Sequence, residues 1–129
     1  MDKENVALTS AEWSVMECLW EHAPRTGREL SEALEKVNGW SRSTTLTLLR
    51  RLEDKGAVGT ETEGRVKAFL PLVSREEAAL RETENLLSRV YQGSLSLMVS
   101  AFTKKQALSR GELEELYAIL KEAEGKNDA

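Results

Sequence analysis

Cysteine and histidine are almost absent from this sequence: Cys18 and His22 are the single examples of each in 129 residues. One thiol cannot form an internal disulfide, and one thiol with one imidazole cannot build a Cys/His zinc site or a thiol–imidazole catalytic pair and leave anything over. Soft-metal sensing and thiol or histidine catalysis are thereby excluded, and no cofactor is expected. No nucleophile–base pair or metal-ligand cluster is visible, so an enzyme is not expected either. Cys18 has no Lys, Arg or second Cys beside it in sequence and reads as a spectator thiol, partly exposed; His22 reads as a surface residue at a helix end. Long apolar runs are missing as well. No stretch is apolar over the length needed to span a bilayer. The opening Met1-Asp2-Lys3-Glu4-Asn5 lacks the basic start, apolar run and small-residue cleavage site of a secretory leader, so a cytoplasmic protein with no membrane insertion is expected.

An excess of basic residues is lacking too, since the formal net charge is −4. The distribution matters more than the sum. Residues 1–24 hold one Lys against five acids, residues 25–73 hold nine Lys/Arg against seven acids, and residues 74–129 hold eight against ten. Only the middle segment is net positive, so charge permits a nucleic-acid partner there without demanding one.

What the sequence does have is well-marked helices. Thr9-Ser10-Ala11-Glu12 has capping-box spacing, with Leu8 and Trp13 placed as a hydrophobic staple. Trp13, Met16, Leu19 and Trp20 then share one face of a helix over residues 10–21, ended by Pro24. Thr26-Gly27-Arg28-Glu29 repeats the box and opens a second short helix with Leu30, Ala33, Leu34 and Val37 on its apolar side, closed by Asn38-Gly39. Ser41 caps a third helix and Gly56 ends it, with Thr45, Leu48, Leu49 and Leu52 on the buried face. Two strand-like runs follow, Val58–Thr62 and Arg65–Leu70, joined by a tight turn at Glu63-Gly64 and stopped by Pro71. With that turn, Arg65 and Lys67 share a face with Thr60 and Thr62. Beyond Ser74 come three more helices, one with Leu80, Leu86, Leu87, Val90 and Tyr91, one with Leu95, Met98, Val99 and Phe102, and a last with Leu113, Leu116, Tyr117 and Leu120. Gly125 to Ala129 reads as a polar tail, and Glu112, Glu114 and Glu115 as a solvated helix face.

This order predicts a mainly α fold with a small β-hairpin wing: a winged helix-turn-helix over residues 1–73, followed by a helical dimerisation domain over residues 74–129. The last part, roughly 55 residues, is too small to bury a good core alone, so its apolar stripes are expected to meet their copies in a second chain.

The third helix carries Arg42, Ser43, Thr44, Thr47, Arg50 and Arg51 away from its buried face. By itself a hydroxyl and arginine surface is a solvated face. Between a short helix and a wing it reads differently. Arg can hold guanine O6/N7 or a phosphate, Ser and Thr hydroxyls can donate to phosphates or base edges, and a Thr methyl can pack on a thymine methyl. Trp40 can lie along the sugar-phosphate backbone and donate its indole N–H to a phosphate, while Arg65 and Lys67 neutralise phosphates from the wing. The expected DNA-binding set is therefore Trp40, Ser41, Arg42, Ser43, Thr44, Thr47, Arg50, Arg51, Arg65 and Lys67.

Three stretches carry a family likeness: "LTSAEWSVMECLW" (Leu8–Trp20), "TLLRRLEDKG" (Thr47–Gly56) and "PLVSREE" (Pro71–Glu77). In this order and spacing they resemble the penicillinase-repressor (BlaI/MecI/CopY) family of winged-helix transcription regulators, over about Leu8 to Leu120. The resemblance implies a homodimeric repressor of palindromic operators in duplex DNA, with DNA contacts on Trp40, Ser41, Ser43, Thr44 and Thr47 and with Arg50, Arg51 and the wing as neighbours. Copper-responsive members end in a Cys-x-Cys pair of motifs; this chain ends in "KEAEGKNDA", so copper sensing is not implied. Antibiotic-responsive members are cut between Asn and Phe in the dimerisation region by a membrane sensor metallopeptidase. The matching position is Ala101-Phe102 in "MVSAFTKK", which keeps the Phe and replaces the Asn. Two other readings stay open at this stage: a small-effector-sensing regulator, which needs a pocket between the two parts of the chain, and a winged helix used for protein contacts.

Overall fold

Each of the first three helices begins where a hydroxyl meets an amide three residues on. The computed structural model, which describes residues 7–127, gives α1 as Ser10–Glu21, β1 as Arg25–Thr26, α2 as Gly27–Asn38, α3 as Arg42–Lys55, β2 as Val58–Glu63 and β3 as Val66–Pro71. Three further helices follow, α4 Arg75–Val90, α5 Leu95–Lys105 and α6 Arg110–Asn127. The Glu12 amide donates to the Thr9 hydroxyl at 3.1 Å and the Thr9 amide to the Glu12 carboxylate at 2.8 Å; Thr26 and Glu29 repeat the exchange at 3.1 and 2.9 Å. Such reciprocal bonds satisfy amides that a helix start leaves without intrahelical partners. Gly39 and Gly56 close α2 and α3 in the left-handed conformation, at φ 70° and 79°.

The core lies entirely in the first of two compact units, which ends at Leu86. Val15, Met16 and Leu19 of α1, Leu30 and Leu34 of α2, and Leu48, Leu49 and Leu52 of α3 are buried together with Ala57, Val58, Phe69, Val73 and Ala78. Two expectations about faces need correction. Trp13 and Trp20 border the core rather than fill it: both are half-buried and meet edge-on at 5.0 Å. Trp20 donates its indole N–H to the Val73 carbonyl at 2.9 Å. Val37, placed on the apolar side of α2, is 79% exposed, because it stands in the last turn, past the residues that α2 buries.

The sheet has three antiparallel strands in the order β1-β3-β2, not the two of a bare hairpin. The two-residue β1 pairs Arg25 with Phe69 and Thr26 with Ala68. The turn also sits one residue later than expected. Glu63 pairs with Val66, so Gly64 and Arg65 form it. The partner of Thr62 thereby becomes Lys67 instead of Arg65. A shift of two keeps side chains on their own face, so Lys67 still shares a face with Thr60 and Thr62, whereas Arg65 moves to the hairpin tip.

The second unit begins at Leu87 and holds the end of α4 with α5 and α6. Ser94 and Ser109 cap the last two helices, accepting from the Leu97 amide at 3.0 Å and the Glu112 amide at 3.1 Å. Helix α6 continues through Asn127, so Gly125, Lys126 and Asn127 are helical where a tail was expected. Residues 128–129 of that tail and the opening Met1 to Asn5, on which the expectation about a leader rests, lie outside the described residues.

Candidate nucleic-acid interface

The exposed side of α3 is built from its cap outwards. The Ser41 hydroxyl accepts from the Thr44 amide at 3.3 Å and lies 3.0 Å from the Thr44 hydroxyl and 3.2 Å from that of Ser43. Three hydroxyls thus crowd the positive end of the helix dipole. The first turns of α1 and α2 carry Glu12 and Glu29, but that of α3 carries no acid. An end without its own carboxylate attracts an external anion. Arg42, Ser43, Thr44, Thr47, Arg50 and Arg51 are all exposed. Other basic residues are engaged: Lys55 with Glu12, Arg75 with Glu17 at 2.8 Å, Arg28 with Glu32 at 3.3 Å. Among the described residues Arg42, Arg50 and Arg51 have no ion-pair partner, nor does Arg65 at the hairpin tip.

The remaining expected residues are placed less freely. Trp40 is half-buried and packs against the core, while its indole N–H has no acceptor among the described residues. Lys67 lies 3.4 Å from Glu53 of α3 and 5.2 Å from the centre of the Phe69 ring, so part of its charge is already balanced. Sequence reasoning passed over Leu46. Its neighbours Leu48 and Leu49 are buried, but Leu46 is 37% exposed among the polar residues of the outward side. An apolar residue falling outside the Thr45, Leu48, Leu49, Leu52 spacing was the available signal.

The far end of α3 is anchored by a buried carboxylate, that of Glu12. Glu12 is 1% exposed and pairs with Lys55, whose ammonium also donates to the Ala7 carbonyl at 2.8 Å. Burial works against the Glu12 charge, but the bonds from Lys55 and Thr9 outweigh it and hold the carboxyl below its ordinary value. Burial pushes the Cys18 thiol up, which favours its protonated form. His22 is exposed at the C-cap of α1. A groove of about 410 Å³ runs beside the start of α1, lined by Leu8, Thr9, Ser10, Trp13, Ala79 and Glu82. Among the described residues no helix is long and apolar enough to cross a membrane.

Most of the expected dimerisation residues are bare. Leu86, at the close of the first unit, and Val90, Leu95, Val99, Phe102, Leu113, Leu116, Tyr117 and Leu120 are exposed, with Leu87, Tyr91 and Met98 half-buried. Neither α5 nor α6 buries a single residue. Ala101 and Phe102 stand exposed inside α5.

The family model described as penicillinase repressor matches residues 8–122. The penicillinase repressor of Bacillus licheniformis is 36% identical over 115 residues, covering 89% of this chain and 90% of that one. The methicillin resistance regulatory protein MecI of Mammaliicoccus sciuri is 30% identical over 120 residues, covering 93% and 98%. Among solved structures, the monomeric form of Bacillus licheniformis BlaI in complex with the blaP half-operator superposes with a TM-score of 0.51 at 33% identity, over 57% of this chain and 89% of that one.

Proposed function

Because the chain belongs to the penicillinase repressor family, we propose that it is a homodimeric transcriptional repressor which sets one α3 from each protomer into successive major grooves of a palindromic operator. Residues 1–73 grip the duplex and residues 74–129 pair the protomers. Promoter occupancy then blocks the polymerase. The family is one of repressors, and the chain is not an enzyme.

The observation that carries this reading is the outward side of α3, where three guanidiniums and a cluster of hydroxyls have no protein counter-charge among the described residues. Trp40 and the wing pair Arg65 and Lys67 flank it. Dimerisation is supported by α5 and α6, whose leucines, Phe102 and Tyr117 are uncovered in one chain. A two-fold pairing covers both copies at once, and dimer symmetry then dictates a palindrome with half-sites about one helical turn apart. Derepression proceeds by cleavage of the Ala101–Phe102 bond by a membrane sensor metallopeptidase. That bond lies within α5, so the helix must unwind there before a protease can take it in extended form.

Sequencing the genomic fragments that the purified protein captures gives the operator. Affinity for it should fall roughly 10³–10⁵-fold between 50 and 200 mM salt if 6–10 phosphates are neutralised. A flat titration speaks against DNA as the partner, and no duplex shift at all favours a protein-contact role. A small-effector reading has one feature in its favour, the groove beside Leu8 and Trp13. Thermal stabilisation by a small molecule together with loss of operator affinity would take its side.

A further inference from the structure

Leu46 is the apolar exception on a polar surface. Of the four leucines of α3, Leu48, Leu49 and Leu52 are at most 5% exposed and belong to the core, while Leu46 reaches solvent. At helical spacing it is flanked by Ser43 and Arg50, with Thr47 next in line, and all three are exposed. Its placement is fixed from behind. A side-chain carbon at Gly27 would come within 3.3 Å of Leu46 Cδ2 and 3.7 Å of the Phe69 ring. Leu46 therefore rests on the bare backbone of the first residue of α2, at the corner where α2, α3 and β3 meet, and the glycine makes room for it. The result is a propped apolar knob among donors.

We propose that Leu46 is a specificity-determining residue which packs against the C5 methyl of a thymine in each half-site. The thymine methyl is the apolar group among the base edges of the major groove, and aliphatic side chains are its natural contact. Hydroxyls and guanidiniums find acceptors on phosphates and guanines; a leucine on the same surface gains nothing from them. The assignment rests on the reading of α3 as the helix that enters the groove.

The test replaces each symmetric pair of thymines in the captured operator by uracil, which removes the methyl and keeps the base pair. Wild-type protein should lose about fourfold in affinity per half-site at one position, the worth of one buried carbon. Leu46→Ala should bind the unmodified operator more weakly and show no further loss at that position, while Leu46→Met should keep the wild-type profile. Thermal melting checks that the variants are folded, and Leu46→Gln, similar in size, serves if the alanine variant is not; it should lose the uracil sensitivity too. If the variants bind duplex with wild-type salt dependence and an unchanged uracil profile, the assignment of Leu46 falls and DNA binding by α3 stands. If wild-type protein binds no duplex, both fall together.

Discussion

Glu12 serves as both cap and counter-ion. Its Oε1 accepts from the Thr9 amide and from Lys55, while Oε2 is buried with no partner among the described residues. The folded carboxyl lies below its ordinary value, so the pair contributes fully above about pH 4.5 and its contribution is lost as pH falls through the lowered value. Chemical denaturation followed from neutral pH downwards should show that loss, and Glu12→Gln should lack it. At neutral pH Glu12→Gln keeps the cap but leaves Lys55 without its counter-charge, which should lower stability by about 1–3 kcal/mol; equal stability would mean that the pair contributes nothing net. Arg50 and Glu114 make a second contrast between single residues. Arg50→Ala should weaken duplex binding about tenfold or more, and Glu114→Ala, on the exposed side of α6, should leave it unchanged. Equal effects in a gel-shift titration would remove α3 from the interface.

Among the elements, two glycines illustrate opposite demands. Gly56 ends α3 at φ +79°, so Gly56→Ala should lower stability by about 1 kcal/mol although nothing stands in the way of the new methyl. Gly125 lies within α6 with no positive φ, and Gly125→Ala should stabilise α6 by about 0.5–1 kcal/mol. Thermal melting followed by circular dichroism measures both. The starts of the first three helices were legible because Thr9, Thr26 and Ser41 announce themselves by side-chain chemistry that acts within three residues, whereas the Ser94 cap of α5 emerged only in the structure. The buried face of α3 was legible because Thr45, Leu48, Leu49 and Leu52 repeat with the helix. Strand β1 was not: two residues have no period, and its pairing with Phe69 and Ala68 is a tertiary choice. The turn was misplaced by one because Glu63-Gly64 and Gly64-Arg65 are both plausible on local chemistry, and pairing across the strands decides between them. Leu46 fell outside that repeat, but what holds it in place, Gly27 and Phe69 across the fold, is a tertiary matter that the spacing does not carry. The hydroxyl and arginine face itself was legible, but whether Lys67 is free to meet a phosphate depended on Glu53, fourteen residues away in sequence.

For the molecule as a whole, the proposed dimer rests on the second unit. Leu116 and Leu120 lie one turn apart on α6 and are 41% and 61% exposed in the single chain. If they pair across a two-fold axis, Leu116→Asp in the full chain should shift sedimentation towards monomer, make melting depend less on concentration and weaken operator binding, with α3 untouched. A wild-type protein that sediments as a monomer at every concentration would overturn that expectation. Another whole-molecule consequence lies in β1. Thr26 belongs at once to a ladder with Ala68 and to the cap of α2, held by Glu29. The base of the wing and the first turn of the helix-turn-helix are thereby one cooperative unit. In hydrogen–deuterium exchange their amides should open in a single step, while those around Gly64 fray on their own far earlier.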